Sequence, residues 1–315
     1  MYGVDGRRLS IQYKERISGF HQWEYKHTAN EYVLYPENIG PYLSIDETCL
    51  SQDEVYTIVT NKAAKGKRGS LVAIVKGTDS HTVIPILKKI SAGKRIQVKE
   101  ITLDLSPAMK LICKKVFPGA IQVSDRFHVQ QLFTEALDDL RIKHRWDAMD
   151  KENQRIKECR SKKEHYYPYV FENGDTRKQL LFRSKRLLMM HKGKWTATQQ
   201  QRANILFRLY PDIEEAYSRY MDLVNFYNDK TMPRALRMTK LAHWYDKIEK
   251  MQSRCFTIVL DTFQNNYPTI LNYFDHRSTN ASAESFNAKV KAFRSQFRGV
   301  SDIPFFIFRL TKLFA

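Results

Sequence analysis

The order of predicted strands and helices between residues 41 and 140 constrains the fold of this chain more than any other feature. Short segments with alternating or β-branched apolar residues predict strands, and apolar residues at helical spacing predict helices between them. The predicted elements are a strand over 42–46, hairpin strands over 55–60 and 70–75, a helix over about 80–91, a strand over 98–104, a helix that begins at Ser106-Pro107, a strand over 120–124 and a further helix.

This order predicts an α/β fold of the ribonuclease-H-like class, in which a mixed sheet is flanked by helices. From about residue 144 the pattern becomes helical and basic, and roughly 120 residues are too many for a loop. We therefore expect a large helical insertion before the last functional helix. The predicted divisions are an N-terminal extension over 1–40, a first core part over 41–144, the helical insertion over 145–267, and the C-terminal helices of the core over 268–315.

Three acidic residues occupy the places where such a fold brings side chains together. Asp46 and Asp104 end the first and fourth predicted strands, and Glu284 lies in the late helix TNASAESFNAKVK. Carboxylate oxygens are the ligands that Mg²⁺ prefers, and two such ions about 4 Å apart can promote displacement at a phosphodiester. We expect these three residues to be catalytic and to bind two Mg²⁺ ions, with Mn²⁺ as a substitute and Asp46 as the bridging ligand.

The charge of the chain indicates what the metal site would act on. The sequence has 52 Lys and Arg against 34 Asp and Glu, a formal net charge of +18 that is spread along the chain. A broad positive surface favours a polyanionic partner, so an enzyme that acts on DNA or RNA is expected.

Other compositional features exclude several classes. The four cysteines lie far apart and lack the spacing of zinc ligands. No signal peptide opens the sequence, and no run of about 18 apolar residues could span a bilayer. The expectation is a cytoplasmic, nucleoid-associated protein with no membrane partner.

The segment around Glu284 predicts a helix with two different faces. Its apolar face would pack on the sheet and consists of Ala283, Phe286, Val290, Phe293 and Phe297. The polar face beside it would point to the metal site and consists of Glu284, Asn287, Lys291 and Arg294. Asn287 is an expected accessory residue, and the two cations are expected to contact nucleic acid.

Each acidic residue also has an ordinary structural interpretation. Asp46 can simply end a strand, Asp104 can form the turn before the Ser106 cap, and the helix dipole favours Glu284 in a first turn. Their combination in the three places that one fold requires is what favours a shared site.

Two further groups leave alternatives open. Asp125 either caps the helix that starts behind it, with His128 a partly buried polar residue, or both support the metal site or hold DNA. The hairpin loop is either a solvated turn or a phosphate contact through its cations Lys62, Lys65, Lys67 and Arg68. The Trp and Tyr residues of the insertion are expected in its core rather than stacked on bases.

At these residues the chain resembles bacterial insertion-sequence transposases of the DDE class, in the ISL-three family. The resemblance spans roughly residues 40–315, and its motifs are SIDET, TLDLSPAMK, FPGAIQVSDRFHV, ALDDLR and STNASAESFNAKVKAFRSQFRG. It implies hydrolysis at the ends of a mobile element, followed by attack of the freed 3′-hydroxyl on target DNA. Carried over by position, Asp46 is the first acid and Glu284 the third.

The second acid of the resemblance is a choice between Asp104 and Asp125. Related groups of transposases have a strand-end Asp and, about twenty residues later, a Cys or Asp shortly before a His. Here 125 − 104 = 21, and Asp125-x-x-His128 matches that later motif. We therefore assign Asp104 to catalysis and Asp125 and His128 to the accessory motif, with Arg126 between them as a contact to nucleic acid.

The resemblance departs from the family at the N-terminus. Members carry a zinc-binding and helix-turn-helix region, whereas about 40 residues precede the first predicted strand here. A separate end-recognition polypeptide is therefore expected, unless the chain is a fragment, and the family implies a homodimer in the synapse. The alternatives are a ribonuclease-H-like nuclease that cuts without joining and a catalytically inactive DNA-binding protein.

Overall fold

The computed structural model describes residues 5–51, 54–277, 279, 281–296, 300 and 302–315. These residues form one six-stranded sheet and a larger number of helices. The strands are β1 (Tyr32–Leu34), β2 (Tyr42–Ser51), β3 (Glu54–Asn61), β4 (Leu71–Lys76), β5 (Glu100–Leu103) and β6 (Ile121–Ser124). The helices before the long central one are α1 (Gly6–Gln12), α2 (Ser80–Leu87), α3 (Ala92–Ile96) and α4 (Pro107–Val116).

The remaining helices follow the last strand. They are α5 (Arg126–Ser161), α6 (Arg177–Arg183), α7 (Lys185–Leu188), α8 (Ala197–Leu209), α9 (Pro211–Asn228), α10 (Arg234–Lys250), α11 (Arg254–Asn265), α12 (Tyr267–His276), α13 (Ala281–Gln296) and α14 (Ile303–Phe314). No helix in this described part of the chain is both long enough and apolar enough to cross a membrane.

The sheet is mixed, with the strand order β1-β4-β3-β2-β5-β6. Strands β2, β5 and β6 run parallel to their neighbours in that group, and the pairs on the β3 and β4 side are antiparallel. The two parallel connections contain helices, as parallel pairing requires. The predicted α/β fold with a mixed sheet flanked by helices is confirmed.

Two strands differ from the sequence prediction. Strand β2 continues past Asp46 to Ser51, because its ladder with β3 extends to the pair Ser51↔Glu54 at the hairpin tip. Strand β1 lies in a segment where no strand was predicted, and it adds a short edge to the sheet by pairing with β4. Alternating burial of Thr48 and Leu50 explains the extension of β2, since the strand keeps one side covered to its end.

The two faces of the sheet are covered by different helices. One face carries Leu43, Ile45 and Leu103 in a cluster with side chains of α2 and α4. The opposite face carries Leu50 and Ile58 in a cluster with side chains of α13 and α14. Even-numbered residues of β2 therefore point to the face on which α13 packs, which decides what Asp46 meets.

The chain forms two compact units, Met1–Asp125 with Pro268–Ala315, and Arg126–Tyr267. The first contains the sheet. The predicted limits of the helical insertion, 145–267, stay a prediction.

The second unit is built around the first half of α5, against which α9 and α11 pack. Its core is aromatic, with the Phe133 ring 5.5 Å from the Trp244 ring and 5.1 Å from the Phe256 ring, measured between centroids. The Trp195 indole N–H donates to the carbonyl oxygen of Leu187 at 2.9 Å. Trp146, in contrast, is 59% exposed, so the aromatic residues of this unit are divided between core and surface.

Candidate active site

Asp46 lies in the middle of β2 and is half-buried on the face covered by α13. One carboxylate oxygen, Oδ2, accepts a hydrogen bond from the side-chain amide of Asn287 at 2.7 Å. The other oxygen accepts from the backbone N–H of Glu47 at 2.8 Å. The sequence predicted both Asp46 and Asn287 for one site, and the structure brings them into contact across 241 positions of the chain.

The parallel strands align Asp46 with the two candidates for the second acid. Ser44 of β2 pairs with Thr102 of β5, and continuing this register by two residues brings Asp46 level with Asp104. Leu103 pairs with Ser124 of β6, so the next step brings Asp104 level with Asp125. Adjacent strands are about 4.8 Å apart, so the three aspartates form a row across three strands on one face of the sheet.

The two candidates differ in their surroundings. Asp104 is half-buried, and its Oδ1 accepts from the backbone N–H of Ser106 at 2.8 Å. The expected cap by the Ser106 hydroxyl is not formed; the Asp104 carboxylate holds the turn instead. Asp125 is only 1% exposed, and its backbone N–H donates to the carbonyl of Leu103 at 2.9 Å. Asp104 is thus the more accessible of the two.

Helix α13 presents the predicted polar face to β2. Asn287 reaches Asp46, and two turns later the Arg294 guanidinium donates to the carbonyl oxygen of Cys49 at 3.1 Å. Glu284 is exposed and lies one turn before Asn287 on the same side of the helix, and Lys291 is exposed one turn after it. Phe286 and Val290 are buried against the sheet, so the predicted division of this helix into two faces is observed. Phe297 lies outside the described residues.

The turn between β3 and β4 places its cations in two different environments. Lys65, Lys67 and Arg68 are exposed, with Lys65 in the left-handed region at φ 52°. Lys62 instead folds inward, and its ammonium donates to Thr102 Oγ1 at 2.7 Å and to Glu100 Oε1 at 3.5 Å. The Lys62 side chain is 15% exposed and that of Glu100 is 2% exposed.

The buried pair lies close to the row of aspartates. Burial lowers the pKa of the Lys62 ammonium below its ordinary value, while the carboxylates of Glu100 and Asp125 act in the opposite direction. Glu100, Thr102 and Asp104 alternate along β5 and therefore face the same side of the sheet. Glu100 was not predicted from the sequence, although a glutamate in an apolar strand, on the side of Asp104, is a signal that could have indicated it.

The same turn also contacts the helix that carries Glu284. The Lys289 ammonium donates to the carbonyl oxygen of Gly66 at 2.7 Å. Gly66 has φ +67°, and a Cβ on it would lie 3.4 Å from the Lys289 nitrogen and 3.5 Å from Ser285 Oγ. The β3–β4 turn is thus tied to β5 through Lys62 and to α13 through Gly66.

Arg126 and His128 open α5, in the second compact unit. The Arg126 guanidinium donates to Asn228 Oδ1 at 2.8 Å and lies 5.4 Å from the centre of the Tyr227 ring. His128 is half-buried, with its ring 5.5 Å from that of Phe127. Arg126 is therefore engaged with α9.

The oxygen atoms around Asp46 suit a hard divalent cation. Among the residues that the structure describes, Asn287 Oδ1 is buried without a hydrogen-bond partner, next to the Asp46 carboxylate. Carboxylate and amide oxygens are the donors that Mg²⁺ selects. No group of three or more His, Cys, Asp or Glu side chains within the described residues is already gathered closely enough to hold a metal ion. The oxygen atoms are therefore of the type that the metal prefers, and the strand register places Asp46 level with Asp104. The side chains are not gathered closely enough to hold the ion as they stand.

Comparison with known proteins gives one match. The family model described as a transposase, of the DDE class and the ISL-three type, matches residues 43–310. This range includes β2 from its second residue, the strands β3 to β6 and all three predicted acids. No curated protein and no solved structure matches the chain.

Proposed function

The chain belongs to the ISL-three family of DDE transposases, and we propose that it cleaves DNA at the ends of an insertion sequence and transfers the freed 3′-hydroxyl into target DNA. The observation that carries this proposal is the alignment of Asp46 and Asp104 on neighbouring parallel strands, with Asn287 of the Glu284 helix bound to Asp46.

In this proposal Asp46, Asp104 and Glu284 hold two Mg²⁺ ions, which Mn²⁺ can replace. The ions would supply activation of the attacking oxygen and stabilisation of the leaving one. Hydrogen bonds within the protein already orient two of the three carboxylates. The Asn287 amide holds Asp46 Oδ2, and the Ser106 amide holds Asp104 Oδ1, so each carboxylate is directed before any ion binds. Metal binding would bring the Glu284 carboxylate together with the two aspartates, which the described residues do not yet gather closely enough.

Cations around the site would hold the DNA backbone. Lys65, Lys67 and Arg68 on the β3–β4 turn and Lys291 on α13 are exposed, and Arg294 is half-exposed. Such side chains position phosphates without reading sequence. Asp125 and His128 support the site, and a homodimer forms the synapse.

The test is a cleavage-and-joining assay on a supercoiled donor that bears the ends of the element, with Mg²⁺ or Mn²⁺. We expect joined products from the wild type and none from Asp46→Asn, Asp104→Asn or Glu284→Gln, with DNA binding retained. Removing a carboxylate ligand should lower the rate by at least about a hundredfold, because the charge stabilisation that two metals supply is lost.

Asp125→Asn is the matched variant in the same row of side chains. We expect it to retain joining at a reduced rate, since Asp125 is assigned to support. Normal cleavage by Asp104→Asn together with an inactive Asp125→Asn would transfer the role of second acid to Asp125. Cutting without joining would favour a nuclease, and binding without cutting an inactive DNA-binding protein.

A further inference from the structure

A groove on the second compact unit lies between α5 and the loop that follows it. Its volume is about 670 Å³, within the range of about 300–1,000 Å³ that is typical of ligand sites. Its lining contains the cations Lys151, Arg155 and Arg177, the carboxylates Glu152 and Glu158, and the rings of Tyr166 and Tyr169.

The loop lies next to α5 at Tyr166, which lines the groove together with residues of that helix. Burial and then the nearby Glu152 carboxylate raise the pKa of the Tyr166 hydroxyl, and the Lys178 ammonium lies 3.1 Å from the same carboxylate. The next two aromatic residues of the loop are exposed. Tyr167 is 82% exposed and Tyr169 is 70% exposed, on either side of Pro168. Tyr169 lines the groove, and Tyr167 lies beside it, between the lining residues Tyr166 and Pro168. These two exposed rings are available to a ligand with flat faces.

The charge around the groove favours an anion. Residues 151–178 contain eight Lys and Arg and five Asp and Glu, a net charge of 8 − 5 = +3. Three of the carboxylates are already paired with cations, namely Glu152 with Lys178, Glu172 with Arg208, and Asp175 with Arg183 and Arg202. The cations of the α5 end are exposed: Lys151, Arg155, Lys157, Arg160, Lys162 and Lys163.

Exposed rings next to exposed cations match one class of ligand. An unpaired nucleic-acid strand presents base faces for stacking and phosphates for the cations, whereas a duplex hides its base faces. We propose that this groove binds an unpaired strand of DNA, with bases stacked on Tyr167 and Tyr169 and phosphates on Lys151 and Arg155. The choice of DNA rests on the proposed function, and the binding itself requires neither the metal nor the three acids.

The test measures binding of the full chain to a fluorescein-labelled oligothymidine of about ten nucleotides, a length that such sites cover, by anisotropy without divalent metal. A duplex of the same length is the second probe. Tyr167→Ala/Tyr169→Ala should weaken binding of the single strand at least about fivefold per ring, because stacking on each ring is lost. Binding of the duplex should change less than about twofold, since phosphate contacts remain.

Two control variants separate stacking from folding. Tyr167→Phe/Tyr169→Phe keeps both rings and should bind the single strand as the wild type does. Phe182→Ala removes another exposed ring of the same unit, 61% exposed and 5.0 Å from the Arg145 guanidinium, and should have no effect. Three results would overturn the proposal. They are an equal loss of affinity for both probes, unchanged affinity in the alanine variant, and competition by an acidic peptide as strong as that by oligothymidine.

This outcome is independent of the catalytic test. Asp104→Asn should bind the single strand as the wild type does, because Asp104 belongs to the first unit. The two assays are scored separately: binding of the single strand decides the groove, and joining decides the catalysis.

Discussion

At the scale of single residues, the environment of each charged side chain distinguishes its role. Asp46 and Asp104 are half-buried, and each carboxylate is oriented by a hydrogen bond, from Asn287 to Asp46 and from the backbone of Ser106 to Asp104. Lys62 and Glu100 are a buried pair with little solvent contact. A buried pair is costly to break, because the remaining charge is then left in a poorly solvated place.

Lys62→Met is expected to destabilise the sheet unit by about 3 kcal/mol, because Glu100 loses its cation. Urea unfolding, followed by a probe in the sheet unit, measures this. Lys65→Met, in the same turn but exposed, should stay within about 0.5 kcal/mol of the wild type.

Adding Glu100→Gln to Lys62→Met should recover part of the lost free energy of unfolding, because no unpaired charge then remains buried. A Lys62→Met protein as stable as the wild type would show that the pair contributes nothing to the fold.

At the scale of elements, the β3–β4 turn connects the strand of Asp104 to the helix of Glu284. Lys62 reaches β5 on one side, and the carbonyl of Gly66 accepts from Lys289 of α13 on the other. The turn therefore affects how α13, and with it Glu284 and Asn287, sits on the sheet. The remaining cations of the turn, Lys65, Lys67 and Arg68, are exposed to solvent.

Gly66→Ala is expected to loosen α13 on the sheet. A residue with a Cβ at φ +67° is strained by about 1–2 kcal/mol, and its new methyl group would touch Lys289. Hydrogen exchange over Ala281–Gln296 should become faster. Gly77→Ala is the matched control, because Gly77 has φ +89° and nothing described within 4 Å of its Cβ position, so it carries the strain without the contact. Equal exchange of α13 in both variants would contradict the connection.

The exposed cations of the turn give a second prediction at this scale. Replacing Lys65, Lys67 and Arg68 by Ala should reduce the slope of log affinity for duplex DNA against log salt by about 2.7, because three phosphate contacts release about 0.9 counterion each. Titrations from about 50 to about 200 mM salt measure the slope. Lys88→Ala/Lys99→Ala, on exposed positions elsewhere in the unit, is the control. An unchanged slope in the triple variant would show that the turn does not contact phosphates.

At the scale of the whole molecule, the two compact units differ in composition but share buried tyrosines. Burial raises the pKa of Tyr25 in the sheet unit and of Tyr217 in the helical unit to about 12. The Tyr217 hydroxyl donates to the carbonyl oxygen of Met190 at 2.8 Å. Each unit therefore contains a hydroxyl that the folded state keeps protonated.

Stability is expected to fall as pH rises from about 10 to about 12, because the unfolded tyrosines ionise near their ordinary pKa of 10.0 while the folded ones resist. The contribution is fully present below pH 10 and is lost as pH passes the folded pKa. Thermal unfolding of Tyr217→Phe should show a shallower decline over this range. Tyr167→Phe, at an exposed position, should follow the wild type. A parallel decline of Tyr217→Phe and wild type would contradict the assignment.

Much of the fold was predictable because its signals are local. The β-branched residues of β3 and β4 and the apolar spacing of α4 and α5 depend on neighbours in sequence, and these elements lie where they were predicted. The extension of β2 and the existence of β1 depend on ladders with other strands, which local patterns do not reveal. The polar face of α13 was predictable in its residues, but the direct hydrogen bond from Asn287 to Asp46 was not.

The sequence by itself determined the order of most elements, the acidic residues in or directly after the parallel strands, and membership of the transposase family. Only the tertiary structure decided that Asn287 binds Asp46, that Lys62 folds inward while Lys65 stays exposed, and that Asp125 is buried beside the more accessible Asp104. The physical reason is that periodicity indicates which face a residue shares, whereas strand register and helix docking bring together side chains that are distant in the chain.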